Sequence, residues 1–344
     1  MSSLRPRAAA RLALVVMFLV LPLSALLMRP LVAQEATPET TAEPTAEATP
    51  EELPPNVLLD FPGPGSYTIQ LQIDGIPRTS GVYIPTSYET TPGAFPLVVA
   101  LHPAGGTGYQ MEGMSGWTEL AEEENFIVIF PDGYNNVWND GRLGDARIAD
   151  LNDAGFINAA INFMSDKLNI DQTRIYSMGY SMGGMLSFRL ACQMPDRLAA
   201  IASVASTMPE YVLPYCSTGE TMPVLIIQGT DDQVVPWAGL ARQGMGYLSA
   251  NASLDFWTTQ NGCQTVSAIQ PQPDLDPNDG SIVMLQTASD CTANADVALW
   301  GVFFGGHTYP GHVSGPVSLG SVNMDIDATR VVWDFFAAHP RAES

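Results

Sequence analysis

Thr173-Arg174-Ile175-Tyr176-Ser177-Met178-Gly179-Tyr180-Ser181-Met182-Gly183-Gly184 is the stretch that decides the fold. A short β-like run, Arg174 to Met178, meets a glycine, a serine between bulky residues, and two more glycines, and the apolar helical run Met185 to Met194 follows at once. Gly179 to Gly183 therefore fits Gly-x-Ser-x-Gly in the strand–turn–helix setting that gives the pattern its meaning. A serine in so cramped a turn needs neighbours without side chains two residues to either side. The turn lifts the hydroxyl clear of the sheet and aims a helix N-terminus at it, where developing negative charge is favoured. Five residues arise by chance in many proteins; it is the strand before and the helix after that mark Ser181 as a nucleophile.

Around this stretch, apolar strands alternate with helices. Pro96 to Leu101 is a continuous apolar run, as expected of a strand buried on both faces. Trp117 to Glu124 reads as a short helix, Phe126 to Phe130 as a second buried strand ending in the turn Pro131-Asp132-Gly133, and Asp150 to Leu168 as a helix. Downstream come a strand over Val224 to Gln228, a helix over Ala250 to Asn261, and strands near Ile282 to Leu285 and Val297 to Phe304. An amphipathic helix over Asp325 to Ala338 closes the series. Upstream, Tyr67 to Ile73 and Thr79 to Ile84 alternate about Asp74-Gly75, which predicts a hairpin. The pattern predicts an α/β fold, a mostly parallel sheet with helices on both faces. Ligands in such sheets bind at the carboxyl ends of the strands, where every candidate residue below lies.

The chain has 344 residues, 46% of them hydrophobic and 15% charged, with a formal net charge of −22. That length suits one large α/β domain with appendages. Arg5, Arg7 and Arg11 precede the apolar run Leu12 to Leu27, and Leu31-Val32-Ala33 offers a cleavage site before Gln34, so residues 1–33 read as an export signal. The run is interrupted by Pro22 and is short for a stable span, although an uncleaved anchor is the alternative. Without it, ten Lys and Arg face 36 Asp and Glu. Such a surface repels nucleic acid and anionic lipid, so neither is an expected partner, and a membrane enters only if the N-terminal segment is retained. Residues 34–55 are Thr/Pro/Glu/Ala-rich with little to bury and are expected to form a disordered spacer, leaving 56–344 as the catalytic domain.

A serine hydroxyl needs a base, and that base must be held in one tautomer. His102 sits in a glycine-rich turn ahead of the serine, and His339 lies beyond the last helix. His307 follows a strand through Gly305-Gly306 and is the favoured base; His312, five residues on, competes. For the acid, Val224 to Gly229 leads into Thr230-Asp231-Asp232, which keeps the chain order serine, aspartate, histidine; periodicity does not choose between the two aspartates. The oxyanion needs two N–H donors. Met182 supplies one as the residue after the nucleophile, and Ala104, with Gly105 next, is the candidate from the turn after the first buried strand, because Pro103 has no N–H.

Several segments together resemble the secreted polyhydroxybutyrate depolymerase and feruloyl esterase family of α/β-hydrolases. They are Leu101 to Gly106, Phe130 to Gly133 with Trp138-Asn139-Asp140-Gly141, Arg174 to Cys192, Gly229 to Pro236, Trp257 to Cys263, and Gly306 to Gly311. The resemblance spans roughly residues 60 to 338 and implies the α/β-hydrolase fold. Its Gly-Thr-x-Asp-x-x-Val-Pro pattern implies Asp232 as the acid, and its Gly-His-x-Trp-Pro-Gly pattern implies His307 over His312. The chain departs from the family at Pro103 (usually Gly), Met182 (usually Asn), Gln228 (usually His) and Tyr309 (usually Trp). None of these removes a catalytic group, but Pro103, Met182 and Tyr309 are expected beside the acyl pocket.

Cys192, Cys216, Cys263 and Cys291 in an exported chain imply disulfides with three open connectivities; the resemblance favours Cys263–Cys291 most. Sequential pairing would contribute roughly 3 to 4 kcal/mol per bridge in the chain-entropy model. The absence of any close Cys-x-x-Cys pair argues against metal ligation. Trp138, Trp237 and Tyr309 follow strand ends and are expected, with Pro103, to line a substrate cleft, a place in the core being the alternative for Trp138, whereas Trp117, Trp257 and Trp333 belong to helices and the core.

The expectation is a secreted, monomeric serine esterase that needs no metal or organic cofactor, with Ser181, Asp232 and His307 as the triad. The resemblance implies feruloyl or acetyl esters on polysaccharide, or a hydroxyalkanoate polyester, as substrate, and the acidic surface favours neutral polymers or small esters. A peptidase with the same triad and a non-catalytic carbohydrate-binding homologue are the rival readings.

Overall fold

Every residue of Phe95–Leu101 is buried, which a strand achieves only when helices cover both sheet faces. The computed structural model describes residues 60–313 and 317–342. The expected export signal and spacer lie outside the described residues. In chain order the strands and α-helices are β1 (Gly65–Ile73), β2 (Ile76–Ile84), β3 (Phe95–Leu101), α1 (Gly108–Ser115), α2 (Trp117–Glu124), β4 (Ile127–Pro131), α3 (Asp153–Lys167) and β5 (Ile170–Tyr180). Then follow α4 (Met182–Gln193), β6 (Ala200–Val204), β7 (Val224–Gly229), α5 (Ala250–Gln260), β8 (Thr265–Val266), β9 (Gln270–Pro271), β10 (Ile282–Ser289), β11 (Val297–Phe303) and α6 (Ala328–Ala338).

The strands form one sheet in the order β1-β2-β4-β3-β5-β6-β7-β11-β10-β8, with β9 also on β10. From β4 to β11 all neighbours are parallel, while the β1–β2 hairpin and β10 run antiparallel at the two sides. This is the α/β-hydrolase fold, a mostly parallel sheet with an N-terminal hairpin. Asp74 and Gly75 both adopt positive φ (52° and 80°), the geometry a two-residue hairpin turn requires.

Strand residues alternate between two cores. Leu97, Val99 and Leu101 of β3 pack with Phe156 and Ile161 of α3, Leu186 of α4 and Trp257 of α5. Val98 and Ala100 face the other way, with Trp117 of α2 and Val332, Trp333 and Phe336 of α6. The three tryptophans expected in the core are there.

Besides the two-residue strands β8 and β9, two elements lack a sequence signal. β6, Ala-Ile-Ala-Ser-Val, is built of small residues because α4 lies close across it: a Cβ on Gly184 would collide with Ser203 Oγ. α1 contains two glycines and starts where Thr107 accepts a hydrogen bond from the Gln110 N–H. The last helix begins at Ala328 rather than Asp325, because Asp327 is its N-cap and accepts from the Thr329 and Arg330 N–H groups. Both sequential disulfides, Cys192–Cys216 and Cys263–Cys291, are formed. No helix among the described residues is long and apolar enough to cross a membrane.

Burial pushes the Asp327 carboxyl up, but hydrogen bonds from His312 and the two N–H groups outweigh it and hold the group below the ordinary aspartate range. A group held low stabilises the fold above its unfolded value and loses that contribution as pH falls through the folded one. Asp327→Ala is expected to cost about 1 kcal/mol at neutral pH. In urea denaturation its midpoint should converge with that of the wild type as acid protonates the cap.

Candidate active site

β5 delivers Ser181 at the carboxyl edge of the sheet, and α4 starts at the next residue. Ser181 has φ 56° and ψ −118°, a conformation that costs a side-chain-bearing residue of order 1–3 kcal/mol and persists only where the surroundings enforce it. They do so by contact. A Cβ on Gly179 would overlap the Gly183 carbonyl, and one on Gly183 would overlap the carbonyl oxygens of Leu101 and His102. The Ser181 N–H is held by Val204 O at 2.8 Å, so β6, unseen in the sequence, anchors the turn.

The loops after β7 and β11 bring two more side chains to this point. Ser181 Oγ lies 2.8 Å from His307 Nε2, and His307 Nδ1 lies 2.7 Å from Asp232 Oδ2. All three residues are buried, at 7%, 5% and 3% exposure. A carboxylate only accepts, so Nδ1 carries the imidazole proton, leaving Nε2 bare to accept the Ser181 hydroxyl. Asp232 Oδ1 accepts the Val234 and Val235 N–H groups, both at 2.8 Å. The two aspartates that periodicity left open differ in placement: Asp231 is exposed and its N–H donates to Gly305 O, whereas Asp232 points inward.

The remaining histidines are otherwise engaged. His102 donates from Nδ1 to Pro103 O and accepts the Gly133 N–H at Nε2, so it ties the loop after β3 to the loop after β4. Desolvation pushes its pKa down, which keeps it neutral. His312 pairs with Asp327 at 3.3 Å, and His339 sits beside Phe335.

In the turn after β3 the Gly105 N–H goes to Asn136 O and the Gly106 N–H to Pro103 O. Gly105, the second choice for the oxyanion, is therefore committed. The Ala104 and Met182 N–H groups have no acceptor among the described residues. Pro103 stands half-buried between His102 and Ala104.

Three cleft expectations are corrected. Trp138 is fully buried: its indole Nε1 donates to His102 O at 2.9 Å, and its backbone N–H donates to Met182 Sδ. It packs in the core with Met182 and Leu186 of α4 instead of lining a cleft. Tyr309 is also fully buried, its hydroxyl 2.9 Å from Thr329 Oγ1, because the loop carrying it folds onto α6. Trp237 is half-buried but lines a different groove, of about 150 Å³, with Leu299, Gly301 and Phe303.

Two further residues bear on the site. The Tyr180 hydroxyl donates to His307 O at 2.7 Å, and its ring lies against the imidazole. Nothing local in the sequence signals this contact, which spans 127 positions. Gln228, the last buried residue but one of β7, donates to Asp232 Oδ2; its sequence signals are a polar residue ending an apolar strand and the departure from the family pattern there.

A family model described as alpha/beta hydrolase fold matches residues 96–219. A putative esterase, NocK, from Nocardia uniformis subsp. tsuyamanensis is 25% identical over 280 residues, 77% of this chain and 81% of that protein. Feruloyl esterase D from Neurospora crassa is 26% identical over 282 residues, 78% of this chain and 85% of the relative. The chain is a carboxylic ester hydrolase of the α/β-hydrolase fold. Feruloyl esterase B from Piromyces equi is 28% identical over 225 residues, 62% of this esterase but only 40% of the longer relative.

The elbow of this esterase tolerates no added Cβ at Gly183, because the atoms it would meet are backbone. Gly183→Ala is expected to lose about 3 kcal/mol or more in urea denaturation. His312→Ala, on the half-buried pair with Asp327, should lose under about 1 kcal/mol.

Proposed function

We propose that this chain is a secreted serine esterase that hydrolyses carboxylic esters through Ser181, His307 and Asp232. One observation carries the reading: the unbroken hydrogen-bonded chain from Ser181 Oγ to His307 Nε2 and from His307 Nδ1 to Asp232 Oδ2. His307 takes the hydroxyl proton as Oγ attacks the ester carbonyl carbon, and the Asp232 carboxylate stabilises the resulting imidazolium. The Met182 and Ala104 N–H groups receive the oxyanion, helped by the N-terminus of α4. His307 then returns its proton to the departing alcohol, and the acyl-serine is released by a water that His307 deprotonates in turn.

The relatives named feruloyl esterases favour a feruloyl acyl group; the family resemblance adds acetyl-polysaccharide and hydroxyalkanoate polyester as the other arms of a test. Two disulfides support folding in an oxidising compartment, in keeping with the basic, then apolar, first 33 residues as an export signal.

Methyl ferulate, short-chain aryl esters, hydroxybutyrate oligomers and a peptide anilide, offered to wild type and to Ser181→Ala, test the reading. Wild type should cleave methyl ferulate and aryl acetate, and Ser181→Ala should lose at least about 10³-fold in kcat. Cleavage of the anilide alone would make it a peptidase, and equal activity in the alanine variant would remove Ser181 from the chemistry. Ala104→Pro, which deletes one oxyanion donor, should lower kcat about 10²-fold with KM little changed.

A further inference from the structure

Gln228 is fully buried on β7, and its side-chain amide reaches two acceptors: Asp232 Oδ2 at 3.0 Å and Val235 O at 2.7 Å. Because both neighbours only accept, the NH₂ end must face them, and the amide orientation is determined. The other end, Oε1, is buried with no hydrogen-bond partner among the described residues. A buried acceptor left empty is destabilising, so this placement runs against stability alone. What it achieves is local. The amide bridges the Asp232 carboxylate to the carbonyl three residues later, in the turn whose N–H groups also hold Oδ1. It shares Oδ2 with His307 Nδ1.

We propose that Gln228 is a positioning residue of the esterase, which orients the Asp232 carboxylate and moderates the negative charge that it presents to His307. The proposal rests on the catalytic reading of Ser181, Asp232 and His307. A second donor on Oδ2 spreads that charge, so the carboxylate aligns the imidazole without over-stabilising its protonated form. Glutamine offers an N–H there but does not titrate, so the pair gains no second proton-binding partner on this side. The other titratable groups nearby are Tyr180, held protonated by burial and then by the Asp232 charge, and the exposed Asp231.

The test compares pH profiles on an aryl acetate for the full chain. Gln228→Met fills the same volume without a donor. It should lower kcat about tenfold with KM within about twofold, and move the acid limb of kcat/KM up by about half a pH unit. Gln228→His, which returns an N–H to the same place, should recover most of the rate. Gln228→Glu keeps the shape but sets a second carboxyl against Asp232, so the two share a proton, and kcat should fall with rising pH where the wild type climbs to its plateau. That variant decides the matter if the methionine protein does not fold. Profiles of the methionine and glutamate variants that superpose on the wild type overturn the proposal. So does a loss of activity that follows the thermal midpoint while the acid limb stays in place. Ser181→Ala separates the two levels: if it retains activity the catalytic reading fails, and if it is inactive while Gln228→Met is unchanged only the role of Gln228 falls.

Discussion

The backbone contact between the start of α4 and the end of β3 is the constraint on which the rest depends. Gly183 lies so close to the carbonyls of Leu101 and His102 that no side chain fits between them. That approach forces the chain to reverse within one residue, and Ser181 absorbs the reversal in its positive φ. Strain of this kind survives because β5, β6 and α4 over-determine the position: Val204 holds the serine N–H, and Ser203 packs under Gly184. The same contact sets the turn after β3, with its open Ala104 N–H, beside the helix start.

A second set of forces governs the charge. Asp232 is almost completely buried, and an isolated carboxylate there would be costly. Two backbone N–H groups, His307 and Gln228 supply four donors to its two oxygens. The carboxylate is thereby both tolerated and aimed. Behind the site, buried ion pairs lock the connecting loops in the same way. Arg78 pairs with Asp153 at 2.6 Å and stacks over Phe156, while Asp140 is held by Arg142 and the Tyr211 hydroxyl. The motif Trp138-Asn139-Asp140-Gly141, which carries part of the family resemblance, thus serves to fasten the loop after β4: Asn139 reaches Leu151 O, and Trp138 fills the core.

How much was legible follows from the range of the forces. The buried strands, the hairpin turn at Asp74-Gly75, the helix Trp117–Glu124 and the elbow glycines are consequences of local periodicity and sterics, and they read directly from the chain. β6 was silent because its small residues answer to a helix packed across it, not to a local apolar run. Trp138 and Tyr309 follow strand ends, a position that suggests a cleft for both while leaving the core open for Trp138. A strand end places a residue near the catalytic face but does not say which way its side chain turns, and both turn inward.

By itself the sequence determined the class of sheet and the serine on its elbow, which follow from steric patterns within short segments, and chain order narrowed its neighbours to a few aspartates and histidines. Only the tertiary structure decided that Asp232 faces inward while Asp231 faces solvent, that Tyr180 and Gln228 brace the two partners of the serine, and that the aromatic cleft expected from Trp138 and Tyr309 is filled core. The physical reason is that burial and hydrogen-bond partnership at a site built from β5, β7 and β11 are set by contacts across 75 and 126 positions, to which no local pattern is sensitive.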